Sequence, residues 1–406
     1  MEMPGFYIIL EVLIMEGSDK VDIIYFAPCK FNQGVGGSAR LDNMCSALNK
    51  IGYSIHVISY LNADNFNIER EKVNSELEIT MISVPKSYPR FIKSFAIFLI
   101  LGYALKSVRD TKIVFSHSPS ILTGFPAIIL KKLFKKPVVI DHMDAKDPQT
   151  PLFLYNYILK NSSMVFAISN YLLSETKAMG CENVIYLPIF IDTSFFNKNL
   201  DKRMEIREKL GISDKDIVIG YAGSFSHVEG VPVLLKAFKK FLNKFENVKL
   251  VIMGVDNVSG SDSVYEISKK LKIDDNLILL PPKPYECMPD YLSVFDIACS
   301  PKIDCEVNRA ANPIKIYEYM SVGLVTVLSK IGEISEVVTD KKDAFLTKPD
   351  DYESLENILE YIIKNEDLNF NIGRAAREKI TKNYSEDALI MCIKTALTAL
   401  GDLSED

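Results

Sequence analysis

Hydrophobic positions fall in short, β-branched runs, each followed by an amphipathic stretch of roughly 10 to 20 residues. Continuous apolar runs of this kind suit strands buried on both faces, and their alternation with helical stretches predicts βα units building parallel sheets. The first half of the chain supplies strand candidates at 21–28, 54–60, 77–83, 112–118, 137–143, 164–169 and 184–190. A charged segment without such a run follows, from Asn197 to Leu210. Strands then resume at 217–223, 249–254, 277–281, 296–300, 324–329 and 344–348.

The expected fold class is therefore α/β, with two Rossmann-like, doubly wound domains. The pattern places an extra N-terminal leader at 1–20, a first domain at 21–196, a linker at 197–212 and a second domain at 213–384. The last helical stretch, within 385–406, has no strand to return to and is expected to pack back on the first domain. Phe6 to Ile14 is apolar but contains Glu11 and lacks a basic flank, which does not suit a secretory signal, so an over-called start upstream of Met15 is preferred to a functional leader.

Composition narrows the function. With 406 residues, 48% of them hydrophobic and 25% charged, each half is long enough to bury its own core. A net charge of −6 argues against general nucleic-acid binding, which needs a basic surface. The seven scattered cysteines never occur as C-x-x-C, so neither a zinc site nor a disulfide framework is expected, and a cytoplasmic protein fits best. Charge is uneven, since ten basic residues face a single acid, Asp110, between Lys86 and Lys136. Within that span Pro89 to Lys106 mixes aromatic and basic residues. It reads either as a core helix with solvated ends or as a segment lying on an anionic membrane surface.

The most informative segment is Asn312 to Gly323, NPIKIYEYMSVG. It reads as a helix with Asn312 as N-cap, Pro313 at the first position and Gly323 as the stop. The free amides of Ile314 and Lys315, with the Lys315 ammonium, can hold a pyrophosphate. Glu318, one turn on, offers two oxygens to the two vicinal hydroxyls of a ribose. An exposed capped helix with a Lys315–Glu318 surface pair is the plainer alternative. The position after a strand, at the carboxyl edge of the second sheet, favours the ligand site. In the first half, Gly34, Gly36 and Gly37 follow the first strand and let backbone approach a ligand, or simply make a tight turn. His117 and His142 stand at the ends of neighbouring strands and are candidate catalytic residues. No D-x-D motif announces a metal-bound diphosphate, and no metal site is expected.

At Pro313-Ile-Lys-Ile-Tyr-Glu-Tyr-Met320 the sequence resembles the retaining glycosyltransferases of family four, in a branch with a P-x-K-x-Y-E-Y-M helix. Matching segments occur in order at Gly34 to Ser38, His117-Ser-Pro119, His142-Met-Asp144, Ile168-Ser-Asn170, Leu187 to Phe196 and Gly220 to Gly230. The resemblance implies the two-domain GT-B architecture, with domains facing across a cleft. It implies a UDP- or GDP-linked sugar as co-substrate, no further cofactor, and a glycan or lipid-linked acceptor in cell-surface polysaccharide or glycoconjugate synthesis. Gly223 and Ser224 would join the nucleotide-sugar site, His117 would touch the donor sugar, and His142, Ser38 and Asp144 would line the acceptor side. Backbone near Pro282 and Lys283 would meet the base. A lipid-linked acceptor would explain peripheral contact with the inner face of the cell membrane through residues 86–136.

The sequence also departs from the family. Ala310 stands where a glutamate is common, and Ser224 and Glu229 stand where a basic pair is usual, leaving Lys315, Arg309 or His227 to supply positive charge. Those losses keep a non-catalytic nucleotide-sugar-binding protein open as an alternative. A sugar-nucleotide epimerase of the same fold fits the P-x-K-x-Y-E helix less well.

Overall fold

The computed structural model describes residues 20–31, 37–87, 96–254 and 261–402. Residues 1–19 of the leader, Gly34, Gly36 and the Pro89–Phe95 part of the basic stretch lie outside the described residues. The chain forms two compact units, one running to Pro188 and including the chain from Leu389 onward, the other Ile189–Ala388.

The first unit is built on an eight-stranded sheet. Its strands are β1 (Ile23–Ala27), β2 (Ile55–Ala63), β3 (Asn67–Asn74), β4 (Leu77–Pro85), β5 (Ile113–Ser116), β6 (Val138–His142), β7 (Met164–Ala167) and β8 (Val184–Tyr186). They lie in the order β3-β4-β2-β1-β5-β6-β7-β8. All neighbours pair in parallel except β3, which runs antiparallel to β4 at the edge. β1, β5, β6 and β7 are buried along their whole length, as strands covered on both faces must be.

The second unit holds β9 (Ile217–Ala222), β10 (Val248–Met253), β11 (Leu277–Leu280), β12 (Ile297–Ser300), β13 (Val325–Ser329) and β14 (Phe345–Thr347). Their order is β11-β10-β9-β12-β13-β14, all parallel. Helix Val231–Leu242 shows why the core forms. Val231, Leu234, Leu235, Phe238 and Phe241 repeat at helical spacing and are all buried against the sheet. Residues 197–212, expected as a linker, instead belong to this unit. Helix Leu200–Lys209 is capped by Asn199, and its Arg203 and Arg207 both pair with Asp296 at 2.5 and 3.3 Å. Those arginines also take the carbonyls of Val294 and its neighbours, which is why the charged segment packs rather than swings free.

In each unit the strand order reverses beside the first strand, between β1 and β5 and between β9 and β12. Loops leaving the carboxyl ends diverge there, and the gap they leave is where open α/β sheets bind ligands. Both candidate sites lie at these two reversals.

Candidate functional site

In the second unit the helix predicted from the P-x-K segment spans Ile314–Ser321 and stops at Val322, with Gly323 at φ +78. Its start differs by one residue from the expectation. Pro313 is the N-cap, with φ −78 and ψ 121, and its carbonyl accepts from the Ile316 amide at 3.2 Å. Proline offers no side-chain acceptor, so the N-cap residue itself makes no side-chain cap bond. Asn312 is buried beside the start instead. The helix is fixed to the sheet by Tyr319, whose hydroxyl accepts from the Ala222 amide at 2.8 Å and donates to the Ala222 carbonyl at 3.0 Å.

Glu318 is only 6% exposed, and no hydrogen bond reaches its carboxylate among the described residues. Burial pushes its carboxyl up to about 7, against the opposing pull of the Lys315 charge. A carboxylate kept nearly dry and without a donor is costly unless a ligand supplies one.

Lys315 does not point free. Its Nζ lies 2.7 Å from Glu229 Oε2 and 3.1 Å from the Tyr221 hydroxyl. The other oxygen of Glu229 takes the ammonium of Lys302 at 2.8 Å, and Lys302 also donates to Asn308 Oδ1 at 3.0 Å. Asn308 is fastened in turn to the carbonyls of Val228 and Ile303. Burial pushes Glu229 up, but the two ammoniums outweigh it and hold the carboxyl down at about 2.

Two glycines make the cluster possible. Gly230 has φ +69, and a Cβ there would stand 1.9 Å from the Pro301 carbonyl oxygen. Gly223 has φ +148, and a Cβ there would stand 2.5 Å from Lys315 Nζ. Ser224 is exposed and contributes its carbonyl to the Tyr221 hydroxyl at 2.6 Å. Of the other nearby cationic candidates, Arg309 is exposed and paired with Asp304 at 2.7 Å, and His227 is exposed. Pro282 and Lys283 follow β11, two strands from β9, with Lys283 over the Tyr291 ring. Lys302, Tyr221 and Glu229 as a binding hub were not found from sequence.

In the first unit His117 follows β5, its amide donating to the Phe26 carbonyl at 2.9 Å. Its ring is buried, and neither ring nitrogen has a hydrogen-bond partner among the described residues. A Cβ on Gly37 would lie 3.0 Å from its Nε2, so glycine is needed for the helix start to approach this closely. Burial pushes the imidazole down to about 4, so it is neutral at ordinary pH. The ring borders a cavity of about 290 Å³ whose lining includes Tyr60, Asn62, Asp144, Gln149 and Tyr155. Ser38 is buried in the first turn of helix Gly37–Lys50.

His142 was expected on the acceptor side. It is fully buried, with Nδ1 3.0 Å from Thr176 Oγ1 and Nε2 2.6 Å from the Tyr155 hydroxyl. Both nitrogens are used internally, and the group they present to the cavity is Tyr155. Beneath them Arg40 and Asp141 form a buried bidentate pair at 2.8 and 2.7 Å. The same guanidinium donates to the carbonyls of Leu187 and Pro188.

Residues 202–379 match the family model described as glycosyl transferases group 1. Over 331 residues the chain is 23% identical to the lipopolysaccharide 1,2-N-acetylglucosaminetransferase of Salmonella typhimurium, covering 78% of this chain and 82% of that one. Sucrose-phosphate synthase of Thermosynechococcus elongatus superposes with a TM-score of 0.78 at 15% identity, over 94% of this chain and all of its own. HepE of Anabaena, solved in complex with UDP and glucose, gives a TM-score of 0.74 at 15% identity, over 93% of this chain and 99% of its own. These structural likenesses are likenesses of fold. The chain thus has the fold of the GT-B glycosyltransferases and, over residues 202–379, is similar to the glycosyl transferases group 1 family.

Proposed function

We propose that this protein is a retaining glycosyltransferase that moves a sugar from a UDP- or GDP-linked donor to a glycan or lipid-linked acceptor. The observation that carries the reading is Glu318, a buried carboxylate without a hydrogen-bond donor among the described residues, one turn inside a helix whose N-cap residue is a proline. A nucleoside diphosphate suits both. Its ribose hydroxyls donate to the Glu318 oxygens, and its phosphates accept from the Ile314 and Lys315 amides. Gly223 and Ser224 border the same end of β9. His117, neutral and with no side-chain partner among the described residues, donates to or accepts from a sugar hydroxyl. Asp144 and Tyr155 offer polar groups to an acceptor in the same cavity.

In this reading the bond from the anomeric carbon to the diphosphate breaks as the acceptor oxygen approaches on the same face. The departing phosphate oxygen takes the acceptor's proton. The protein positions the reactants and stabilises developing charge, without a bound metal. Work in cell-surface polysaccharide or glycoconjugate synthesis follows from a lipid-linked acceptor. Docking on the inner face of the cell membrane is supported by Phe98, Leu105, Leu133, Leu152 and Phe153. These exposed apolar residues lie on three consecutively packed helices that also carry Lys106, Lys131, Lys132 and Lys160.

A second reading, a nucleotide-sugar-binding protein without transfer activity, is favoured by the engagement of Lys315 with Glu229. Thermal-shift measurements with UDP, GDP and their sugars test the binding claim, because a ligand of the folded state raises Tm. Transfer assays then separate the two readings. We expect stabilisation by one base series, turnover that survives EDTA, and its loss in Glu318→Ala. Turnover unaffected by that substitution would remove the ribose contact, and an EDTA loss restored by manganese would remove metal independence. Sedimentation with neutral vesicles as readily as with anionic ones would remove the membrane surface.

A further inference from the structure

Where a basic residue would serve a diphosphate, this chain places a carboxylate, and the surrounding groups show what it does. Glu229 gives one oxygen to each of two ammoniums, Lys302 at 2.8 Å and Lys315 at 2.7 Å, so the cluster carries one net positive charge. The two lysines are not equivalent. Lys302, 5% exposed, has a second acceptor in Asn308, which is itself anchored by two backbone carbonyls. Lys315, 13% exposed, starts in the first turn of helix Ile314–Ser321, and its Nζ rests against Gly223 in space a side chain there would fill.

We propose that Glu229 is an internal counter-ion that occupies Lys315 until a diphosphate binds, whereupon the ammonium exchanges from the carboxylate to phosphate oxygens. Lys302 stays on Glu229 and keeps that carboxylate from being left unpaired beside the anion. The proposal rests on the nucleotide-site reading of helix Ile314–Ser321 and adds to it a built-in brake on donor and product affinity. Glu229 is held down at about 2, so mild acid does not release the brake; only a competing anion does.

Calorimetric binding of inorganic pyrophosphate, UDP and GDP to the full chain and to Glu229→Gln tests this. Removing the carboxylate raises the net positive charge by one and frees Lys315. We expect at least tenfold tighter pyrophosphate and nucleotide binding with a steeper salt dependence. Lys302→Met lowers the charge by one and should weaken binding by a similar factor. Nucleotide binding by the wild type that is unchanged or weaker in Glu229→Gln overturns the counter-ion proposal alone. No nucleotide binding by the wild type, with pyrophosphate binding gained in Glu229→Gln, overturns the nucleotide reading and leaves the counter-ion standing. Should Glu229→Gln fail to fold, the double variant Glu229→Gln/Lys302→Met restores the charge balance without the carboxylate. Binding at least as tight as wild type is then expected, and weaker binding would show that Glu229 positions Lys315 instead of restraining it.

Discussion

The hydroxyl of Tyr155 sits 2.6 Å from Nε2 of His142, whose Nδ1 meets Thr176 at 3.0 Å, so a histidine at a strand's carboxyl end spends itself on holding a tyrosine. Removing the ring as His142→Ala opens a cavity and strands two buried hydroxyl partners, for a loss of about 2–4 kcal/mol. Tyr155→Phe keeps the packing and costs only about 1–2 kcal/mol. If Tyr155 is the group that meets the ligand, its Phe variant lowers kcat/KM about tenfold or more while Tm falls by only a few degrees. Chemical denaturation and steady-state rates, run on both variants, check this. A His142→Ala protein of wild-type stability with abolished turnover would return the contact to the histidine.

The difference between the two histidines marks the limit of what the sequence conveys. Position at a strand end is written in local pattern, and both histidines have it. Whether a ring is used up depends on Tyr155 and Thr176, 13 and 34 residues away, and no periodicity links them. The buried parallel strands were legible because each is a continuous apolar run. β3 was not, because Asn67–Asn74 is a mostly exposed edge strand with four charged residues. Helix Ile314–Ser321 was legible within one residue, since proline and glycine punctuate it. Glu229 read as a missing charge. Its two lysines lie 73 and 86 residues further along the chain, and only the fold turns that loss into a hub. A lysine two residues after the apolar strand β12 is the one local hint.

Glu318 gives the site a pH dependence of defined sign. Its carboxyl is raised from 4.5 to about 7 in the folded protein, so the folded state holds this proton more tightly than the unfolded chain does. Its contribution to stability is complete below about 4.5 and is lost as pH rises through about 7, on the order of 3 kcal/mol in all. Ligand binding runs the other way. Two ribose donors favour the ionised carboxylate, so nucleotide affinity should climb between about pH 6 and 8 and then level, with proton release on binding at pH 7. Calorimetry in buffers of different ionisation enthalpy reads that proton. In Glu318→Gln the climb and the release should both vanish. An unaltered pH profile in that variant would place the titrating group elsewhere.

Arg40 and Asp141 offer the sharpest test of what supports the first unit's site. Both side chains are almost fully buried, 4% and 0% exposed, and the guanidinium also satisfies the carbonyls of Leu187 and Pro188. Arg40→Met therefore leaves a buried carboxylate unpaired and should cost about 3–5 kcal/mol. Adding Asp141→Leu removes that charge and should recover part of the loss. Recovery stops short of wild type, because two buried carbonyls still lack their donors at about 1–3 kcal/mol each. The pair also acts on His117. Burial dominates in holding that imidazole at about 4, while Asp141 pulls it up and Arg40 pushes it down. In Arg40→Met the upward pull acts unopposed, so the His117 titration, followed by ring-proton NMR, should move toward neutral pH. In the double variant it should fall back. A stable Arg40→Met protein with an unmoved His117 would mean that the guanidinium is solvated rather than locked beneath the cavity, and that the buried pair does not set the ring's charge.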